Sequence, residues 1–225
     1  MDPFDFTGRH VFVAGGTSGI NLGIAEGFAA RGAQLTVISR SPERVAGAVK
    51  MLQAHGTKAL GFSADVRDPA AINAALAGAH QQFGDIDILV SGAAGNFPAP
   101  ALGMSPNGFK AVIDIDLIGT FNVLRGAHAF LSKPGASIIN ISAPQSVHAT
   151  PLQAHVCAAK AGLDMLTRVL CLEWGPDGIR VNSIIPGGIS DSAVSCPSAA
   201  LAPRRMWPTW RSSSPRRSRP ISRVP

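Results

Sequence analysis

The sequence predicts an α/β domain built on a doubly wound parallel sheet, and three observations carry that expectation. Short apolar runs alternate with longer helical patterns up to about residue 185. The composition, 46% hydrophobic and 15% charged with 24 glycines in 225 residues, suits strands buried on both faces and joined by tight turns. A glycine-rich turn, Gly15-Gly16-Thr17-Ser18-Gly19, lies between the first strand and the first helix. Right-handed crossovers then give one sheet with helices on both faces, and ligands in such sheets bind beyond the carboxyl ends of the strands. The length suffices for one such domain with a full core.

In chain order, the runs His10–Ala14, Gln34–Ser39, Ala59–Phe62, Ile86–Ser91, Ser137–Ser142 and Arg180–Ile184 read as six strands, each short, apolar and bounded by turn residues. Between them Ile20–Arg31, Pro42–His55, Pro69–Phe83, Asn107–Leu131 and Gln153–Trp174 carry apolar residues at helical spacing. Two domains of character follow: residues 1–190 form the folded domain, and 191–225 form a divergent tail. The tail has eight Ser, seven Arg, six Pro and no Gly, with neither a helical nor a strand period. On composition it reads as a disordered tail, or as a basic arm for nucleic acid or membrane, although such arms usually use lysine as well.

Charge and cysteines narrow the function classes. The formal net charge is +6, but the seven tail arginines against Asp191 account for all of it. Residues 1–190 carry 13 basic and 13 acidic side chains and are neutral, so no nucleic-acid-binding face is expected. Cys157, Cys171 and Cys196 show no pairing or metal spacing, which makes a reduced, cytoplasmic protein without a metal the expectation. The opening, Met1-Asp2-Pro3-Phe4-Asp5-Phe6, is acidic and too short in apolar run for a signal peptide, and no run of 18 apolar residues predicts a membrane span.

The turn from Ala14 to Asn21 opens a helix directly after a strand, which makes it a dinucleotide site. Glycines permit the tight turn and close backbone approach, and the helix N–H groups face a pyrophosphate. Gly15, Thr17, Ser18, Gly19, Ile20 and Asn21 are its candidate contacts. Asn21 either reaches the phosphate or crowds the packing of helix on strand. At the end of the second strand, Ser39 and Arg40 stand where NAD-preferring proteins carry an acid. A hydroxyl and a guanidinium suit a 2′-phosphate, so NADP is the expected cofactor.

Further along, six segments in order resemble the short-chain dehydrogenase/reductase family over residues 5–190. The turn resembles that family's T-G-x-x-x-G-I-G fingerprint, with Ala14 for Thr and Asn21 for the last Gly. Asp65-Val66 follows the third strand, where the family uses an acid and the next amide for adenine, although Asp65 serves equally well as a helix-start acid. Ser91-Gly92-Ala93-Ala94-Gly95-Asn96-Phe97 is similar to the N-x-A-A-G-N-F turn of 2,4-dienoyl-CoA reductases, in which Ala93 faces the cofactor ribose. Glu173-Trp174-Gly175-Pro176 has that subfamily's wording too. Arg180 to Ile189 resembles the last strand and the P-G turn that cradles nicotinamide, with Pro186, Gly187 and Ile189 as contacts.

The resemblance implies a Rossmann-type fold, an NADPH-dependent oxidoreductase, an acyl-CoA as the small-molecule substrate and a homodimer through the two long helices. The family's seventh strand is expected to be missing. It also exposes a departure. His155-Val156-Cys157-Ala158-Ala159-Lys160 resembles the Y-x-x-x-K helix, with Val156 in the tyrosine slot, and the chain contains no tyrosine at all. Ala143 stands where the family's serine would, and Ser142 beside it would point to the opposite face of a strand. Lys160 remains, to hold the ribose and supply positive charge. Asp116, where most members have Asn at a helix irregularity, is the candidate to carry or relay a proton; alternatively it only satisfies backbone groups. His155, about 140° around the helix from Lys160, and His148 are weaker candidates.

An enolate-forming reduction of a conjugated thioester needs only a modest acid, which suits a site without tyrosine. A carbonyl or alcohol oxidoreductase, or a catalytically impaired nucleotide-binding protein, are the alternatives. The family wording stops after Ser190, so the tail has a third reading, a frameshifted or divergent terminus that removes the substrate lid and weakens binding and activity.

Overall fold

In the computed structural model, residues 4–187 are described. Ile189 and the tail from 191 lie outside them, and so does the expectation about a seventh strand. Six parallel strands form one sheet in the order β3-β2-β1-β4-β5-β6. They are β1 His10–Ala14, β2 Gln34–Ser39, β3 Ala59–Ser63, β4 Ile88–Ser91, β5 Ser137–Ile141 and β6 Arg180–Ile184. The expected doubly wound Rossmann-type sheet is the one observed. Strand order reverses between β1 and β4, which pair in register from Val11–Ile88 to Ala14–Ser91, so the turns after these two strands flank the crevice at the switch point.

Alternation along the strands divides the core between the two faces. Phe12 and Ala14 of β1 pack with Leu89, Ile138 and Val181 beneath Ile72, Leu76, Val123 and Leu124. Val11 and Val13 face the other way, with Leu35, Val37 and Val90 beneath Ala25, Ala29, Ala48 and Leu52. The second layer is α1 Gly19–Ala29 and α2 Pro42–Gln53; the first includes α3 Pro69–Phe83 and α5 Gly119–Ala127.

Side-chain oxygens start several helices. Ser41 Oγ accepts from Arg44 N, Asp68 Oδ1 from Ala70 N and Ala71 N, and Ser105 Oγ from Gly108 N, each just before a proline at the first helical position. The acid at the start of α3 is therefore Asp68, and Asp65 is not its cap.

β3 and β5 each end one residue away from the sequence reading, at Ser63 and Ile141, and two larger differences appear. Ile86 makes only an isolated bridge to Leu131, and β4 begins at Ile88. The expected single helix Asn107–Leu131 is interrupted. It consists of α4 Pro106–Ile113, a π-helical turn over Asp114–Ile118, α5, and a 3-10 turn over His128–Phe130. In the π turn Gly119 N donates to Asp114 O, and Thr120 Oγ1 donates to the Asp116 carbonyl at 2.9 Å. Gly119 is the residue that lets this turn press on β3's exit, because a Cβ there would stand 2.5 Å from Val66 Cγ2. The long helix α6, Ala154–Trp174, follows a 3-10 turn at Pro144–Ser146. Among the described residues no helix is long and apolar enough to cross a membrane.

Candidate active site

Two clefts meet above the carboxyl ends of β1 and β4. The first, of about 220 Å³, runs from the glycine-rich turn to the end of β2. Gly15, Thr17, Ser18 and Asn21 border one part, Ser39, Arg40 and Arg44 another, and Asp65, Val66 and Ala93 the rest. Gly15 has φ +79, and a Cβ there would meet the backbone of Ala93 at 2.9 Å, so only glycine lets the two turns touch. Ser18 precedes α1 without making a side-chain cap, and the first turn of α1 holds no acid. Its N–H groups and positive dipole end thus remain available, which fits a dinucleotide pyrophosphate. Gly19 opens this helix at φ +54 with open space about it.

The sequence reading did not single out Arg44, one helical turn beyond Arg40; the signal was its place in the first turn of the helix that Ser41 caps. Asp65 is pinned by Arg67, whose Nη2 and Nε lie 2.6 Å and 3.0 Å from its oxygens, and this contact holds its carboxyl below the usual range. Asn21 neither crowds the packing nor hangs free. Its Nδ2 donates to Gly92 O at 2.8 Å and to Gly15 O at 3.3 Å, joining the turns after β1 and β4. Its Oδ1 is buried with no partner among the described residues.

The second cleft, of about 420 Å³, shares Asn21 with the first. It is bounded by Ile20, Asn96, Asp116, Ala143, Val156 and Lys160, among others. Val156 and Ala143 thus stand at this cavity with apolar side chains. Asp116 reaches it from the π turn and is 1% exposed. Its Oδ1 accepts from Gly95 N at 2.7 Å, and its Oδ2 lies 3.4 Å from Lys160 Nζ, which also donates to Ile141 O at 3.0 Å. Burial pushes the Asp116 carboxyl up from its ordinary pKa, against the opposing pull of Lys160 and the Gly95 N–H.

Ser142 lines the same cavity as Ala143, since β5 ends at Ile141 and strict alternation stops with it. Its Oγ is buried and unpartnered among the described residues. His155 is fully buried, edge-on to Phe97 at 4.6 Å, and does not line either cleft; His148 is exposed. Pro186 and Gly187 border an adjoining hollow with Ile20 and Ala143. No group of three His, Cys, Asp or Glu side chains that could hold a metal occurs among the described residues.

The peroxisomal 2,4-dienoyl-CoA reductase of Rattus norvegicus, described as (3E)-enoyl-CoA-producing, is 49% identical over 181 residues, which are 80% of this chain and 62% of that protein. Its counterpart in Arabidopsis thaliana is 43% identical over 192 residues, 81% of this chain and 64% of the relative. The chain therefore spans a little over three fifths of the length of these relatives. Among solved structures, a short chain dehydrogenase from Burkholderia cenocepacia in complex with NADP matches with a TM-score of 0.77 and 28% identity, over 81% of this chain and 75% of that one. Carveol dehydrogenase from Mycobacterium avium in complex with NAD matches with a TM-score of 0.78 and 26% identity, over 81% and 71%. The sequence model of the short chain dehydrogenases matches residues 9–198. By its fold, its glycine-rich turn and these matches, the chain belongs to the short-chain dehydrogenase/reductase family.

Proposed function

We propose that this chain is an NADPH-dependent reductase of conjugated acyl-CoA thioesters, the 2,4-dienoyl class, with residues 1–190 as its catalytic domain. The observation that carries the reading is the buried Asp116–Lys160 pair in a cavity where Val156 and Ala143 stand in the tyrosine and serine positions of the family. A ketone reduction calls for a strong donor aligned on the carbonyl oxygen, and neither of those side chains is one. The names of the similar reductases support the same substrate class.

The first cleft would hold the dinucleotide: the pyrophosphate at the start of α1, the adenine beside Asp65 and Val66, and a 2′-phosphate between Ser39, Arg40 and Arg44. Ala93, Lys160, Pro186 and Gly187 would border its nicotinamide half. When bound, the reduced cofactor supplies a hydride to the δ-carbon of the dienoyl group. What the chain must then do is carry the charge that develops on the thioester oxygen and return one proton to the α-carbon. The remaining double bond then lies between the β and γ carbons, in keeping with the (3E) products in the relatives' names. Oδ1 of Asp116 is fixed by the Gly95 N–H, so Oδ2 is the end at which a proton is held and released, beside the positive charge of Lys160. The apolar walls from Val156 and Ala143 limit water and strengthen that interaction.

A homodimer fits the exposed apolar side chains of the long helices. Ile118, Phe121, Met165 and Leu172 are 45%, 41%, 55% and 80% exposed. Reduced-dinucleotide oxidation by the purified chain, with a dienoyl-CoA and with simple ketones, tests the function. Turnover of the dienoyl-CoA alone supports it. Turnover of ketones alone rejects it in favour of a carbonyl reductase, and tight NADPH binding without turnover of either marks a nucleotide-binding protein.

A further inference from the structure

The absent tyrosine and serine leave open which group donates to the substrate's thioester oxygen, and the side-chain amides around the second cleft offer an answer. Asn21 has both amide protons engaged, on Gly92 O and Gly15 O. Lys160 Nζ is directed at Ile141 O and Asp116, which leaves one proton for a ribose hydroxyl. Besides the buried Ser142 hydroxyl, two amides remain on the cavity wall, Asn96 and Gln145. Both donate to Gln153 Oε1, Gln145 at 3.0 Å and Asn96 at 3.4 Å. Each therefore keeps one N–H without a partner among the described residues.

Of the two, Gln145 is the better held. It is half-buried in the 3-10 turn Pro144–Ser146, two residues past Ala143, whereas Asn96 is exposed and its bond is longer. The segment that carries Gln153 is itself tied to the loop after β4, because Ala99 N donates to Leu152 O at 2.9 Å. Leu152 adopts φ +65, a conformation an L side chain rarely takes, which a surrounding structure must hold.

We propose that Gln145 donates its free Nε2 proton to the thioester oxygen of the substrate, in the role left vacant at Ala143, and that Gln153 is the positioning residue that aims it. This rests on the thioester-reductase reading above. A donor fixed before the charge develops stabilises the enolate-like oxygen without reorganisation. The carboxamide neither gains nor loses a proton; the α-carbon still receives its proton from the Asp116–Lys160 pair.

The test uses the full chain and two readouts. Bound to the wild type with NADP, a dienoyl-CoA should show its long-wavelength absorption band displaced to the red, as a conjugated carbonyl does on accepting a hydrogen bond. Gln145→Met should abolish that displacement and lower kcat by about a hundredfold, the scale of losing one such donor, with the dissociation constant for NADPH within twofold of wild type. Gln153→Met should lower kcat by about tenfold. Gln153→Glu, which keeps an accepting oxygen for Gln145, should restore most of it; a purely structural loss would not discriminate between the two. A Gln145→Met protein that keeps the red-shifted band and wild-type kcat would overturn the donor role alone. A wild type that shows neither band shift nor turnover with the dienoyl-CoA overturns the thioester reading, and this inference with it.

Discussion

The Lys160 ammonium stands 3.4 Å from Oδ2 of Asp116, and both side chains are almost sealed from solvent. A carboxyl in that position is raised by burial and restrained by its cation, so it stays closer to proton exchange near neutrality than an exposed one. Asp116→Ala and Lys160→Ala should each lower turnover by about a hundredfold. With the acid form as the proposed donor, turnover should fall as pH rises through the elevated pKa of Asp116, and Asp116→Asn should abolish that limb. His155→Ala should stay within a few-fold in kcat, because the ring lines neither cleft. A dispensable Asp116 beside an indispensable His155 would show that the proton travels elsewhere.

Cofactor choice should follow the two arginines. NADPH is expected to bind at least tenfold more tightly than NADH, about 1.4 kcal/mol. Arg40→Asp should erase or reverse the preference, and Arg44→Ala should reduce it. Dissociation constants for both dinucleotides, measured by fluorescence titration, decide this; equal values in the wild type reject the assignment.

Asn21 and Gly92 should be energetically coupled. A Cβ on Gly92 would collide with the Asn21 carboxamide. Gly92→Ala should therefore destabilise the fold by about 1–3 kcal/mol through overpacking, and Asn21→Gly should relieve part of that loss. A double-mutant cycle read by urea unfolding measures the coupling, expected to exceed about 0.5 kcal/mol.

His10 makes the fold acid-sensitive. Its Nδ1–H donates to Gly84 O at 3.0 Å and its Nε2 accepts from the Thr36 hydroxyl at 3.0 Å, so the buried ring is held neutral. Desolvation lowers its pKa, against the pull of the Gly84 and Asp85 carbonyls and of Asp87, while His80 adds to the lowering. A depressed folded-state pKa means that the unfolded chain binds more protons in the window below the ordinary value of about 6.5. The His10 contribution is thus fully present above that value and is lost as pH falls through the folded pKa. Unfolding free energies from pH 7.5 to 5 should show this loss, and His10→Asn should flatten it at a lower starting stability.

Association should depend on α6. Light scattering is expected to give a dimer, and Leu172→Glu with Met165→Glu a monomer. A wild-type tetramer would contradict the proposed interface.

Much of this fold was legible because buried parallel strands leave continuous apolar runs. Three of the six strands keep their expected bounds to the residue, and the glycine-rich turn falls where a strand meets a helix. The π turn was not visible in periodicity, since one extra residue barely disturbs an apolar pattern read over the 25 positions from Asn107 to Leu131. The resemblance to the family, and not the spacing, placed an irregularity at Asp116. The roles of Asn21, Gln145 and Gln153 were illegible for another reason. Their hydrogen bonds join segments distant in sequence, 71 residues apart for Asn21 and Gly92, and an amide on a loop leaves no repeat by which to find it.

The π turn also marks the one stretch of this helix where a residue could be lost without disturbing the core. Such a turn takes up one extra residue while the helix on either side keeps its face, so deleting any one position between Asp114 and Ile118 would restore an ordinary helix with its two halves still in phase. The core face of α5, with Val123 and Leu124 beneath α3, would keep its place. Asp116 would then swing away from Gly95 and Lys160. Substitutions along this helix can be absorbed one at a time, whereas a single-codon deletion would separate the fold, which survives, from the acid, which does not stay in place.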